Sequence, residues 1–140
     1  MGSRLGADET LDPQAENVPE TVKKMTGAGA DLALVSTGNE KGLDQAFASV
    51  RKGGKVLLFG APAVGTQYRL DVSTLFSSQI SLISSYSCVE PEIHEAIRLV
   101  SDKRIDVGSL ISDRYKLEEA EDGLEYAKTS RIAIKTIITA

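Results

Sequence analysis

Apolar residues in this chain come in short bursts separated by small, turn-forming residues, and the bursts alternate between two periods. Residues 32–35 and 56–59 are continuous apolar runs that stop at Ser36-Thr37-Gly38 and at Gly60-Ala61-Pro62. Runs of this length bounded by turn formers read as buried strands of a parallel sheet. Between them Leu43, Ala46, Phe47 and Val50 recur at helical spacing, while Lys41, Asp44, Gln45 and Arg51 take the opposite side. Gly53-Gly54 is expected to end that helix. A strand, a one-sided helix and a second strand with short connections make a crossover unit: two parallel strands covered by a helix.

The flanking sequence follows the same grammar. Asn17 and Glu20 have the spacing of a capping box and Pro19 suits a first helical turn, so a helix is expected over about residues 18–25, with Gly27 and Gly29 leading into the next strand. Before it, residues 4–13 carry two turn signals and suit a minor strand and its exit. After Pro62 a loop leads to an extended segment at residues 68–70, Asp71 is placed to cap a short helix through Leu75 and Phe76, and Ile80, Leu82 and Ile83 read as a third strand. Pro91 opens a helix with the apolar face Ile93, Ala96, Ile97 and Val100; His94, beside Glu92 and Glu95, belongs to its solvated side. Residues 109–115 form a strand or extended connection and residues 116–119 begin a helix with Ala120, Leu124 and Ala127 inward. Ile132, Ile134, Ile137 and Ile138 make a last β-branched strand. The residues thus point to a three-layer α/β fold in which later strands extend the first sheet.

Composition narrows the functional classes. With 140 residues, 41% hydrophobic and 26% charged, the chain can bury a core of its own. A net charge of −4 without long runs of one sign points away from nucleic acid and from anionic membranes. The apolar runs are too short to span a bilayer and residues 1–4 do not read as a secretory signal; with Cys88 as the single cysteine, a reducing cytoplasm is the expected setting. There is no G-x-G-x-x-G, no G-x-x-x-x-G-K-[ST], no C-x-x-C and no H-E-x-x-H, and one His and one Cys make an ordinary zinc site improbable.

In an open parallel sheet ligands bind beyond the carboxyl ends of the strands, which is where Ser36-Thr37-Gly38 and Gly60-Ala61-Pro62 lie. Small residues there also serve the tight turn alone. Two such turns on one edge favour a cofactor surface.

The ordered segments R-L-G-A-D-E-T-L-D-P, A-D-L-A-L-V-S-T-G-N-E and R-K-G-G-K-V-L-L-F-G, the strand at residues 80–86, and R-I-A-I-K-T-I-I-T resemble the C-terminal half of the medium-chain, zinc-dependent alcohol dehydrogenases, nearest the polyol and threonine dehydrogenase branch. The resemblance implies a partial Rossmann fold, doubly wound and mainly parallel with flanking helices, with the first two strands of the family sheet absent and the fourth, fifth and sixth side by side. Residues 1–86 would then belong to the dinucleotide-binding domain, and 87–140 to helices and a strand returning to the catalytic domain. NAD or NADP is the implied cofactor and a small alcohol or polyol the implied substrate of the full-length enzyme. Zinc belongs to the family, but its ligands are not in this chain.

Carried over by position, Ser36, Thr37 and Gly38 would line the adenosine and its ribose. Gly60, Ala61 and Pro62 would lie beside the nicotinamide ribose, Tyr86 would meet the carboxamide, and Lys135 the pyrophosphate, as a point charge where the family often has arginine. The resemblance also implies a homo-oligomer joined through the strand at residues 80–85, with the preceding segment at residues 68–70 as a further candidate edge, and a chain that is catalytically silent by itself. A non-catalytic nucleotide-binding or oligomerisation module is the alternative.

Overall fold

The computed structural model describes residues 1–140, which divide into two compact units, Met1–Ser87 and Cys88–Ala140.

The first unit is built on a three-stranded parallel sheet, β1 (Ala30–Val35), β2 (Val50–Leu58) and β3 (Ser81–Ser84), in the spatial order β1-β2-β3. This is the contiguous arrangement that the resemblance implies for the fourth, fifth and sixth strands of the family sheet. Helix α1 (Val18–Thr26) starts where Asn17 accepts a hydrogen bond from the Glu20 amide at 3.3 Å, and it ends on Gly27 in the left-handed conformation. Helix α2 (Glu40–Ser49) is capped by Asn39, whose side chain accepts from the Gly42 amide at 2.8 Å. Asp71 caps α3 (Val72–Ser78) by accepting from the Ser73 and Thr74 amides.

Register explains where the core sits. Paired residues of a parallel sheet share a face, and Ala33, Val56 and Leu82 form one row, with Val35 and Leu58 in the next. Helix α2 lies on that face, and Val35, Ala46, Val50 and Val56 close into the core, with Leu43, Phe47 and Ile80 packed around them. Val56 is fully buried at 0% exposure. The opposite face carries the row Leu34, Leu57 and Ile83, of which Leu34 remains 56% and Ile83 44% exposed. Parallel sheets bury both faces as a rule, so this apolar row lacks a covering layer within the unit.

The structure corrects two local expectations in this unit. Residues 4–13 form no strand: a short 3-10 helix, Gly2–Leu5, ends at Gly6, and no ladder partner lies beside the following residues. A strand without a neighbour leaves its backbone groups unpaired. Nor do Gly53 and Gly54 end α2. The helix stops at Ser49, Val50 is already in β2, and the two glycines lie where the register slips between the pairs Ala30–Val50 and Leu32–Lys55. Gly53 takes φ +71° there and a Cβ on Gly54 would crowd the Arg51 carbonyl, so the glycines serve a bulge instead of a helix end.

The second unit has its own two-stranded parallel sheet, β4 (Ile111–Lys116) and β5 (Lys135–Thr139), with α4 (Glu90–Ser101) before it and α5 (Ala120–Thr129) between the strands. These strands do not extend the first sheet, although the pattern alone suggests that they would. The inner face of α5 is also shifted: Leu124 is 65% exposed, while Gly123 is buried so close to the Tyr115 ring that a Cβ would lie 2.9 Å from it. Ile132 and Ile134 precede the last strand and do not belong to it. The apolar face expected on α4, including Ile93 and Ile97, stands exposed.

Candidate functional site

The two turns at the carboxyl ends of β1 and β2 are interlocked through backbone. The carbonyl of Val35, the last residue of β1, accepts hydrogen bonds from the amides of Phe59 (3.0 Å) and Gly60 (2.8 Å), which draws the second turn over the first. A Cβ on Gly60 would lie 2.5 Å from the Ser36 carbonyl carbon and 2.6 Å from that of Thr37. In return, a Cβ on Gly38 would run into the Ala61 carbonyl and lie 3.0 Å from the Pro62 Cα. Both glycines are therefore dictated by close approach of one turn to the other.

Behind the turns stands α2. Gly42, in its first helical turn, passes directly under Thr37, and a Cβ there would come 2.5 Å from Oγ1. The Ser36 and Thr37 side chains are exposed, and neither hydroxyl makes a hydrogen bond within the chain. A shallow groove of about 290 Å³ beside them is lined by Leu34, Val35, Ser36, Thr37, Gln45 and Ala46. This edge thus offers uncommitted hydroxyls and turn backbone on a rigid parallel sheet, a surface suited to a polar ligand that lies across strand ends.

Of the expected site residues, Ser36, Thr37, Gly38, Gly60, Ala61 and Pro62 come together on this edge. Tyr86 lies just past the end of β3 and is 94% exposed. Lys135 belongs to the second unit, where it opens β5 opposite Ile111; it is exposed and forms no salt bridge. Sequence reasoning passed over Asn39 and Gly42, which fix the first turn to α2. The signal for the cap was an Asn directly before the helix, Asn39, after a run of small residues.

Tyr68, expected only as part of an extended segment, has partners within the chain. Its hydroxyl donates to Asp44 Oδ1 at 2.8 Å and its ring stacks on Phe47, with centroids 6.2 Å apart and planes 8° from parallel. Desolvation first, then the Asp44 hydrogen bond and the negative charges of Asp44 and Glu40, push this phenol up to about 12. No group of three or more His, Cys, Asp or Glu side chains is placed to hold a metal ion, and Cys88 is exposed and alone, so the residues present do not fit a zinc site.

Comparison with known proteins gives a family and a fold. Residues 1–102 match the family model described as zinc-binding dehydrogenase. Sorbitol dehydrogenase of Bacillus subtilis (strain 168) is 29% identical over 127 residues, covering 89% of this chain and 35% of the relative. The alcohol dehydrogenase TADH from Thermus sp. ATN1 superposes with a TM-score of 0.90 at 24% identity, over 99% of this chain and 39% of that one. A zinc-binding dehydrogenase from Sinorhizobium meliloti 1021, solved bound to NADP, matches with a TM-score of 0.85 at 21% identity, over 99% and 41%. The chain therefore spans 35–41% of the length of these relatives.

Proposed function

The chain belongs to the zinc-binding dehydrogenase family, and from that membership we propose that it is part of an oxidoreductase transferring hydride between an alcohol or polyol and NAD or NADP. Its share of the task is the strand-end edge on which the dinucleotide lies. The observation that carries this reading is the interlocking of the two turns: Gly38 and Gly60 hold Ser36, Thr37, Ala61 and Pro62 on one rigid edge of a parallel sheet.

The edge fits a dinucleotide by donor chemistry. The free hydroxyls of Ser36 and Thr37 suit ribose oxygens, and the turn from Gly60 to Pro62 presents backbone with only the small apolar side chains of Ala61 and Pro62. Tyr86 and Lys135 are assigned to the carboxamide and the pyrophosphate by family position. When bound, the nicotinamide supplies the hydride acceptor; the residues of this chain hold and orient it. Zinc has no ligands here, so no step of the reaction is assigned to metal within this chain.

A polyol is the favoured substrate class because the Bacillus subtilis relative is a sorbitol dehydrogenase. Self-association is assigned to β3, an outer strand with an unpaired edge and with Leu82 and Ile83 exposed. The cytoplasm remains the proposed setting. The lack of any metal-ligating group favours a second reading, a nucleotide-binding module that is not itself catalytic.

The test is a 340 nm assay of the isolated chain with sorbitol or a simple alcohol and either cofactor, run beside a titration of NADH. The expected result is weak NADH binding and no alcohol-dependent reduction. Turnover by this chain alone would overturn the division of labour proposed here.

A further inference from the structure

Residues 61–70 connect the second turn of the candidate site to the cap of α3, and very little holds them. The only backbone hydrogen bond donated within the segment is Thr66 N–H to the Ala63 carbonyl, 3.1 Å. Val64 is wholly exposed, and Gly65 takes φ +84°, a conformation that favours glycine. A strap this exposed and this poor in hydrogen bonds stands at the low-stability end of a fold.

One side-chain hydrogen bond ties the strap down before α3 begins. Tyr68 reaches α2 with its hydroxyl on Asp44 and its ring flat on Phe47, and Phe47 is itself packed against the core. Beneath the ring is a hollow of about 240 Å³ between α2 and α3, lined in part by Phe47, Leu70, Leu75 and Ile80. The strap thus spans from Gly60, fixed by the Val35 carbonyl, to Tyr68, fixed by α2. We infer that Tyr68 is a latch: its contact with Asp44 and Phe47 holds the strap to α2, and its release frees the strap beside the strand ends while the sheet stays intact. That the freed strap borders a cofactor edge rests on the function proposed above. The latch itself does not, and failure of dinucleotide binding would leave the following test untouched.

Arg69 follows the latch directly, so tryptic cleavage after Arg69 requires local release of the strap, whereas cleavage after Lys55 requires opening of β2. Initial rates at both bonds are compared in the wild-type chain, Tyr68→Phe, Asp44→Ala and the double variant. Loss of the charge-assisted hydrogen bond is expected to speed the cut after Arg69 about five- to tenfold in each single variant. The double variant is expected to be no faster than either single one, because both changes remove the same bond. The rate after Lys55 is expected to stay at the wild-type value. Wild-type cleavage after Arg69 in both single variants would overturn the latch. An equal rise after Lys55 would also overturn it, since Tyr68 would then hold the core and not the strap.

Discussion

Gly60→Ala is the sharpest structural test of the interlocked turns. The new Cβ would lie 2.5–2.6 Å from backbone atoms of Ser36 and Thr37, and ordinary contact begins near 3.4 Å. Because the obstacles are backbone, no flexible side chain can swing aside. The turns must separate by about 0.9 Å, the difference between 2.5 and 3.4 Å. That movement stretches the Gly60 N–H bond to the Val35 carbonyl from its present 2.8 Å. Overpacking of this kind costs about 1–3 kcal/mol. The stiffer unfolded chain returns about 0.4–1 kcal/mol of it.

The net loss expected is therefore about 1–2 kcal/mol, a substantial share of the roughly 5–15 kcal/mol that stabilises a typical domain. In a urea titration followed by the amide signals of Val56 and Leu58, that loss lowers the midpoint by about 0.5–1 M. Gly38→Ala pushes the same turns apart, so the double variant should lose less than the sum of the two. Gly108→Ala is the control, since its nearest obstacle is the Asp106 carboxylate at 3.5 Å. Stability of Gly60→Ala within about 0.3 kcal/mol of the wild type, in the scale of ordinary surface changes, would refute the interlock.

Other consequences follow from single contacts. Val56→Ala removes two methyl groups from the most buried site of a small core and should cost about 2–3 kcal/mol in the same titration. Gly123→Ala drives a methyl group into the Tyr115 ring; in the second unit it should lower the melting temperature of β4 and β5 signals while leaving those of β1 and β2 in place. Hydrogen bonds from Ser73 first, and then Thr74, hold the Asp71 carboxylate down to about 2. A depressed carboxylate stabilises above its unfolded value of 3.8 and loses that contribution as pH falls toward about 2. Protection of the Thr74 amide in α3 should therefore persist to pH values near 3 and vanish at about 2, and Asp71→Ala should abolish this pH dependence.

How much was legible in the sequence depended on whether a signal was local. Three strands, α1 and the caps at Asn17 and Asp71 were readable because each rests on residues within one turn of each other. The bulge at Gly53 and Gly54 was not, because it depends on where β2 finds its register against β1. The absent first strand and the separate β4–β5 sheet are likewise pairing decisions made across the chain. In α5, packing against Tyr115 favoured Gly123 over Leu124, which no helical period reveals. At the site, both turns were visible as small residues after apolar runs. Their mutual contact, the support from Gly42 and the Tyr68 anchor exist only in three dimensions.

The row Leu34, Leu57 and Ile83 has no covering layer within the first unit. An exposed row of this kind also recruits neighbours, so dye binding to apolar surface and self-association are expected of the isolated chain.

Titrating NADH and NADPH up to millimolar concentration into the isotope-labelled chain, with its amide signals followed, tests whether the strand-end edge of the first unit holds the dinucleotide. Saturable shifts are expected at Thr37, Gly38, Gly60 and Ala61, with α3 and the outer surface of α1 unmoved. Shifts centred on another surface, or none at these four residues, would contradict that placement.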